Sequence, residues 1–310
     1  MMLWQVMILL AGFLFLVKGA DWFVEGAACI AKKLGIPQLV IGLTIVAMGT
    51  SMPEAAVSVT AAMQQNAGIT VGNVVGSNIL NILIILGITA VITNVTIQRS
   101  TLHYEIPFML AVTTLLLGFG MTGGRIIFME GVIFWIFFLA YLGYLFVMAR
   151  KENAGEEGTV KDFPVWKCLL LMVLGGILVV KGSDFAVSGA SAIARYFGMS
   201  ERFIGLTIVA LGTSLPELVT SVTAARRGNA GIAIGNIVGS NIFNILFVIG
   251  TAALICPVPF ERKFIADTVI AIGAGVVLWL GTFRNRELRK PCGIVMLLCY
   301  AAYFAYLCVM

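Results

Sequence analysis

Residues 41–87 read IGLTIVAMGTSMPEAAVSVTAAMQQNAGITVGNVVGSNILNILIILG, and residues 204–250 read IGLTIVALGTSLPELVTSVTAARRGNAGIAIGNIVGSNIFNILFVIG. The copies lie 163 residues apart without a gap, and 32 of the 47 aligned pairs are identical. Each places one glutamate, Glu54 or Glu217, inside an apolar segment. An ionised group there is costly and marks function. The repeat extends outward from this core: VKGADWFVEGAACIA (17–31) matches VKGSDFAVSGASAIA (180–194) at the same offset.

Composition sets the class. A chain that is 60% hydrophobic and 11% charged, with a mean hydropathy of +1.03, is a membrane protein. Apolar runs long enough to span a bilayer fall at roughly 3–31, 37–63, 68–93, 102–121, 126–148, 165–194, 203–225, 230–255, 264–283 and 292–309. The expected fold is all-α, with ten transmembrane helices in two halves, 1–150 and 164–310. The hydrophilic connector 151–163, which contains KENAGEEGTVKD, joins them. Five spans per half is an odd number, so the second half enters the membrane with opposite polarity. Inverted repeats follow, with equivalent residues meeting near the midplane. The first run repeats at 165–194 and lacks a basic leading region, so it reads as a span and not as a cleaved signal.

With both termini outside, the inner connections carry thirteen Lys and Arg residues and the outer ones five. The positive-inside rule therefore places both termini outside. The net charge of +5 is a product of topology and gives no reason to invoke nucleic acid. No obligatory protein partner is implied; the partner that composition implies is the lipid bilayer. The six cysteines show no CxxC pair and read as small apolar residues, neither disulfides nor a metal site. Lys18 with Asp21, and Lys181 with Asp184, are three apart and read as local ion pairs. Glu25 has no acidic counterpart, because Ser188 holds its place, and reads as an interface residue.

The chemistry lies in the duplicated core. Pro53 and Pro216 lack an N–H, and their rings clash with the carbonyls of Gly49 and Gly212. Breaks are expected there, releasing carbonyls around Ala47 to Gly49 and Ala210 to Gly212; such backbone is tolerated only where buried or lining a cavity. Thr50 and Glu54, like Thr213 and Glu217, lie four apart on one face. In the next span, Asn73, Ser77 and Asn81 step by four, as do Asn236, Ser240 and Asn244. With Ser51 and Ser214 these supply two carboxylates, hydroxyls, amides and carbonyls. An all-oxygen set suits a hard cation, and Ca²⁺ takes about 6–8 such ligands. Two carboxylates balance its charge. Against this, hydroxyls in a span also bond to their own backbone, and Asn73 and Asn236 could serve only to join helices.

GTSMPE with GNVVGSNILN, and GTSLPE with GNIVGSNIFN, resemble the two alpha-repeats of the cation/calcium exchanger superfamily, in its bacterial sodium/calcium exchanger-like branch. The resemblance implies a Na⁺/Ca²⁺ antiporter working by alternating access, without a cofactor, in a bacterial or archaeal plasma membrane, and extruding Ca²⁺. It implies ion ligands at Glu54, Glu217, Asn81, Thr50, Ser51, Ser77, Thr213, Ser214 and Ser240, and at the carbonyls of Ala47 and Ala210. Asn244 stands where potassium-dependent relatives carry aspartate, which argues against potassium co-transport. The GNxxE signature of proton/calcium exchangers is absent. Burial disfavours a charged carboxylate, so the residues alone permit a proton-coupled alternative. A channel would need a filter such as TVGYG, and a pump a phosphate-binding loop. An intramembrane hydrolase would need a base or metal near its nucleophile, and His103 is the one histidine.

Overall fold

A computed structural model describes residues 2–65, 67–151, 161, 163–199 and 210–309. The elements in order are α1 (Met2–Leu34), α2 (Gln38–Thr50), α3 (Met52–Met63), α4 (Ala67–Ile92), α5 (Thr101–Gly123), α6 (Phe128–Lys151) and α7 (Val165–Tyr196). Then come α8 (Ala210–Thr213), α9 (Leu215–Arg226), α10 (Ala230–Ile255), α11 (Arg262–Phe283) and α12 (Lys290–Val309). Among the described residues, 8 helices are long and apolar enough to cross a membrane, and α2 with α3 forms a ninth candidate bent by 52°. The tenth expected span, 203–225, lies partly outside the described residues, and so does most of the connector 151–163.

Burial sorts the helices into a core and a rim. The helices α4 and α10, which carry GNVVGSNILN and GNIVGSNIFN, are the most deeply enclosed. Val71, Val74, Ile79 and Leu86 are sealed on α4, and Ile232, Ile237 and Ile245 on α10. The rim helices expose large apolar side chains such as Leu3, Trp4, Leu10, Ile136, Trp166 and Leu298. Lipid is the solvent that such a surface fits.

The outermost helices α1 and α7 meet along a seam of glycines spaced seven apart: Gly12, Gly19 and Gly26 against Gly175, Gly182 and Gly189. A Cβ on Gly175 would sit 2.4 Å from the amide nitrogen of Phe23, and one on Gly19 would sit 2.8 Å from that of Val179. Small residues let two backbones touch where no hydrophobic drive exists between helices. The same approach overturns the expectation that the cysteines are all unpaired. Cys29 and Cys168, 139 residues apart, are joined in a disulfide with Cα atoms 5.7 Å apart. Spacing along the chain carries no trace of a pair made by two antiparallel helices.

Two short antiparallel pairings tie the halves together. Val95–Thr96 pairs with Glu287–Leu288, and Arg125–Ile126 pairs with Val258–Pro259. Val95 and Val258 are repeat mates, as are Arg125 and Leu288, so each half lends the other the same two segments. The two pairings join different loops, 95–96 with 287–288 and 125–126 with 258–259.

Candidate ion-binding site

The break in each repeat falls two residues before proline. Ser51 (φ −86°, ψ 9°) ends α2 and caps α3, and Ser214 (φ −92°, ψ 3°) occupies the same place before α9. Pro53 and Pro216 then sit in the first turn, where the missing N–H has no helical partner to lose. Glu54 and Glu217 share that turn. Helix N-termini present positive partial charge to carboxylates, and both glutamates are only 1% exposed.

The carboxyl groups are interleaved between halves. Ser51 donates to Oε1 of Glu217 at 2.8 Å. Thr213 and Ser77 are set against the carboxyl of Glu54, which also feels the charge of Glu217. The hydroxyl of Thr50 lies 2.9 Å from Oδ1 of Asn236. Asn236 in turn donates to the carbonyl of Glu217 at 3.4 Å and to Oγ of Ser221 at 2.8 Å. Its mate Asn73 repeats this with the carbonyl of Glu54 at 3.2 Å and Oγ of Ser58 at 2.9 Å. Asn73 and Asn236 therefore do more than join helices: each braces the backbone from which a buried glutamate hangs.

A second layer of amides lies where α4 and α10 cross. Asn78 donates to the carbonyl of Asn241 at 3.1 Å, and Asn241 to that of Asn78 at 3.2 Å. Asn81 donates to Oδ1 of Asn241 at 2.9 Å, and Asn244 to Oδ1 of Asn78 at 3.1 Å. Both helices widen to π geometry at this point, over Asn81–Leu86 and Asn244–Ile249. Such bulges re-aim side chains and cluster at functional sites. Here they accompany amides whose nitrogens are bound and whose oxygens are spare.

The chemistry follows from those spare atoms. Both oxygens of Glu54, Oε2 of Glu217, Oδ1 of Asn81, Oδ1 of Asn244 and Oγ of Ser214 are buried without a hydrogen-bond partner. Buried polar atoms are normally satisfied, and unpaired charge in the bilayer interior is costly. A set of acceptors lacking donors is completed by a cation. The fit is to a hard one, because the donor set holds no nitrogen or sulfur. Among the described residues no cluster of three His, Cys, Asp or Glu offers a transition-metal site.

Not every expected ligand is free. The carbonyl of Ala47, expected to be released, accepts the amide of Ser51 at 3.1 Å and lies 3.3 Å from Oγ of Ser240. The bond from Ser51 keeps Ala47 engaged, so the break begins just past that residue. Its repeat mate Ala210 is the first described residue of α8. Several other span hydroxyls take the backbone-bonded option, including Thr44 to Val40 and Thr89 to Ile85. Sequence reasoning missed Asn78, Asn241, Ser58 and Ser221. The signal was present in two pairs of repeat mates: Ser58 and Ser221 continue the i, i+4 stripe of Glu54 and Glu217, while Asn78 and Asn241 lie off the stripe through Ser77 and Ser240.

The ion pairs also correct the sequence reading in one half. Lys181 and Asp184 pair as expected, at 3.4 Å. Asp21 instead meets Arg227 at 2.8 Å, and the same guanidinium reaches Glu25 at 3.2 Å. Glu25 also meets Lys161 at 2.9 Å. An arginine offers a planar fork that bridges two carboxylates one helical turn apart, which Lys18 on the same helix could not match.

The chain resembles known proteins over its whole length. The profile of the family described as sodium/calcium exchanger protein matches residues 4–147 and 167–309, one match per half. The chain is 38% identical to the putative antiporter CaxA of Alkalimonas amylolytica, covering 97% of this chain and 98% of that one. It is 33% identical to the sodium/calcium exchanger MaX1 of Methanosarcina acetivorans, covering 97% of each. A solved structure of the sodium-calcium exchanger NCX_Mj superposes with a TM-score of 0.86 at 32% identity, covering 98% of this chain and 99% of that one. The chain is a multi-pass integral membrane antiporter without enzymatic chemistry, and it belongs to the sodium/calcium exchanger protein family.

Proposed function

We propose that this protein exchanges Na⁺ for Ca²⁺ through one shared site and extrudes Ca²⁺ on the inward sodium gradient. The observation that carries the reading is the group of orphaned buried oxygens on Glu54, Glu217, Asn81, Asn244 and Ser214. Thr50, Ser51, Ser77, Thr213, Ser240 and the carbonyls of Ala47 and Ala210 complete the ligand shell as the ion settles and hydroxyls rotate. Sodium and calcium compete for the same two carboxylates, so they cross in turn. The architecture behind this is ten spans in two inverted halves, 1–150 and 164–310, with both termini outside. The reciprocal bonds between residues 163 apart support it, as do the cross-paired loops.

Radiolabelled Ca²⁺ uptake into vesicles under an imposed sodium gradient tests the reading. Wild-type uptake is expected to follow sodium and to ignore potassium, because Asn244 adds no third charge. Asn244→Asp is expected to make uptake sensitive to potassium or to pH, since a third carboxylate must be met by a cation or a proton. Uptake driven by a proton gradient alone would replace this reading with calcium/proton exchange. Strict potassium dependence of the wild type would remove Asn244 from the selectivity argument.

Sidedness has its own check. A reporter fused after Met310 is expected to be exposed outside the cell, and one inserted near Ala154 to be cytoplasmic. The reverse pattern would invert the assignment.

A further inference from the structure

The two halves are unequal where their first helices approach the site. On one side a cavity of about 280 Å³ is lined by Ser183, Asp184, Val187 and Ser188 of α7 and by Pro53, Gly212 and Thr213. Its floor, Pro53 and Thr213, lies against Glu54: Pro53 is its chain neighbour, and Thr213 is set against its carboxyl. Asp184 is exposed at the wall, and among the described residues its ion pair is with the solvent-facing Lys181.

Shifting these positions by 163 gives the mates Ala20, Asp21, Val24, Glu25, Gly49, Thr50 and Pro216. Ala20 and Val24 are 0% exposed and Thr50 is 1% exposed, so solvent does not reach the matching positions. Arg227, from the end of α9, seals them by spanning Asp21 and Glu25. The repeat mate of Arg227 is Gln64, which carries no charge to do this on the open side.

We propose that Asp184 recruits cations into the open entry of the ion site, and that Asp21 does the same at the opposite entry once the Arg227 clamp releases it. The inference rests on the exchanger reading above. A carboxylate on a low-dielectric wall focuses cations toward the site behind it. The same carboxylate bonded to arginine is already neutralised and draws nothing. Of the two repeat mates, Asp184 is thus the recruiting acid and Asp21 the sealed ion pair, and the clamp exists on one side only. With both termini outside, the open entry faces outward and the clamped one faces the cytoplasm.

Three measurements test this. Ser188→Cys is expected to react with a membrane-impermeant cationic thiol reagent applied to the outer face of intact cells, above the wild-type background. Lack of reaction would overturn the open entry, and this result stands whatever ion is carried. Asp184→Asn is expected to raise the outer-face KM for Ca²⁺ by about tenfold, the low end of charge focusing, and to raise it more than it lowers the maximal rate. The inner-face KM should not move, and the gap to wild type should narrow as choline chloride screens the charge. Arg227→Gln is expected to lower the inner-face KM. Equal effects on both faces, or a fall in maximal rate at fixed KM, would reduce Asp184 to a structural residue and overturn the proposal. If the wild type shows no sodium-driven calcium flux at all, the exchanger reading fails and recruitment of Ca²⁺ fails with it, while the thiol reaction still decides whether the entry exists.

Discussion

Glu54→Gln and Glu217→Gln are each expected to abolish sodium-driven calcium uptake while leaving a folded protein in the membrane. Each substitution keeps the side chain's volume and one acceptor oxygen, and removes half of the negative charge facing the ion. Breaking one partner of a buried, compensated charge set costs about 3–5 kcal/mol, roughly two to three and a half orders of magnitude in affinity. Both positions are 1% exposed, so solvent does not soften the loss. Vesicle flux read beside the elution profile of the purified variant separates function from folding. Wild-type flux in either variant would remove the two-carboxylate site.

Adjacent glycines on α7 are expected to behave in opposite ways. A methyl group on Gly175 would meet the amide nitrogen of Phe23 at 2.4 Å and the carbonyl of Gly19 at 2.7 Å, and backbone cannot step aside as a side-chain tip does. Gly175→Ala should therefore force the α1–α7 seam apart and lower the stability of detergent-purified protein by about 1–3 kcal/mol. Gly175→Leu should prevent accumulation of folded protein. The methyl group of Gly176→Ala meets only the ring of Phe23 at 3.7 Å, which is ordinary contact. That variant should unfold at or slightly above the wild-type temperature, since alanine is the better helix former. Equal melting of the two alanine variants would show that the seam tolerates separation.

Much of this was legible because the chain states it twice. The duplicated GTSxPE and GNxVGSN segments located the carboxylates, the breaks and the buried helices α4 and α10. Hydropathy located the spans, and the family resemblance agrees with the family match across both halves. What escaped depends on which atoms meet across 139 to 206 residues of sequence. Cys29 finds Cys168 because glycines let two helices touch, and Asp21 finds Arg227 in preference to Lys18 because a forked cation reaches two acids at once. Asn78 and Asn241 escaped for a different reason. Helical periodicity assigns residues to faces, and both follow Ser77 and Ser240 by one position, about 100° round the helix from the stripe of candidate ligands.

The reciprocal bonds of Asn78 and Asn241 have a mechanical consequence. Each side chain grips the main chain of the other, so the junction has the character of a fulcrum: its two arms are identical and its grip survives exchange of one arm for the other. Outer helices can tilt about such a point without parting it. The free oxygens of Asn81 and Asn244, held by amides bonded into the same junction, would then keep a fixed aim while everything around them swings. A transporter built this way leaves its cargo's coordinates still and moves the walls.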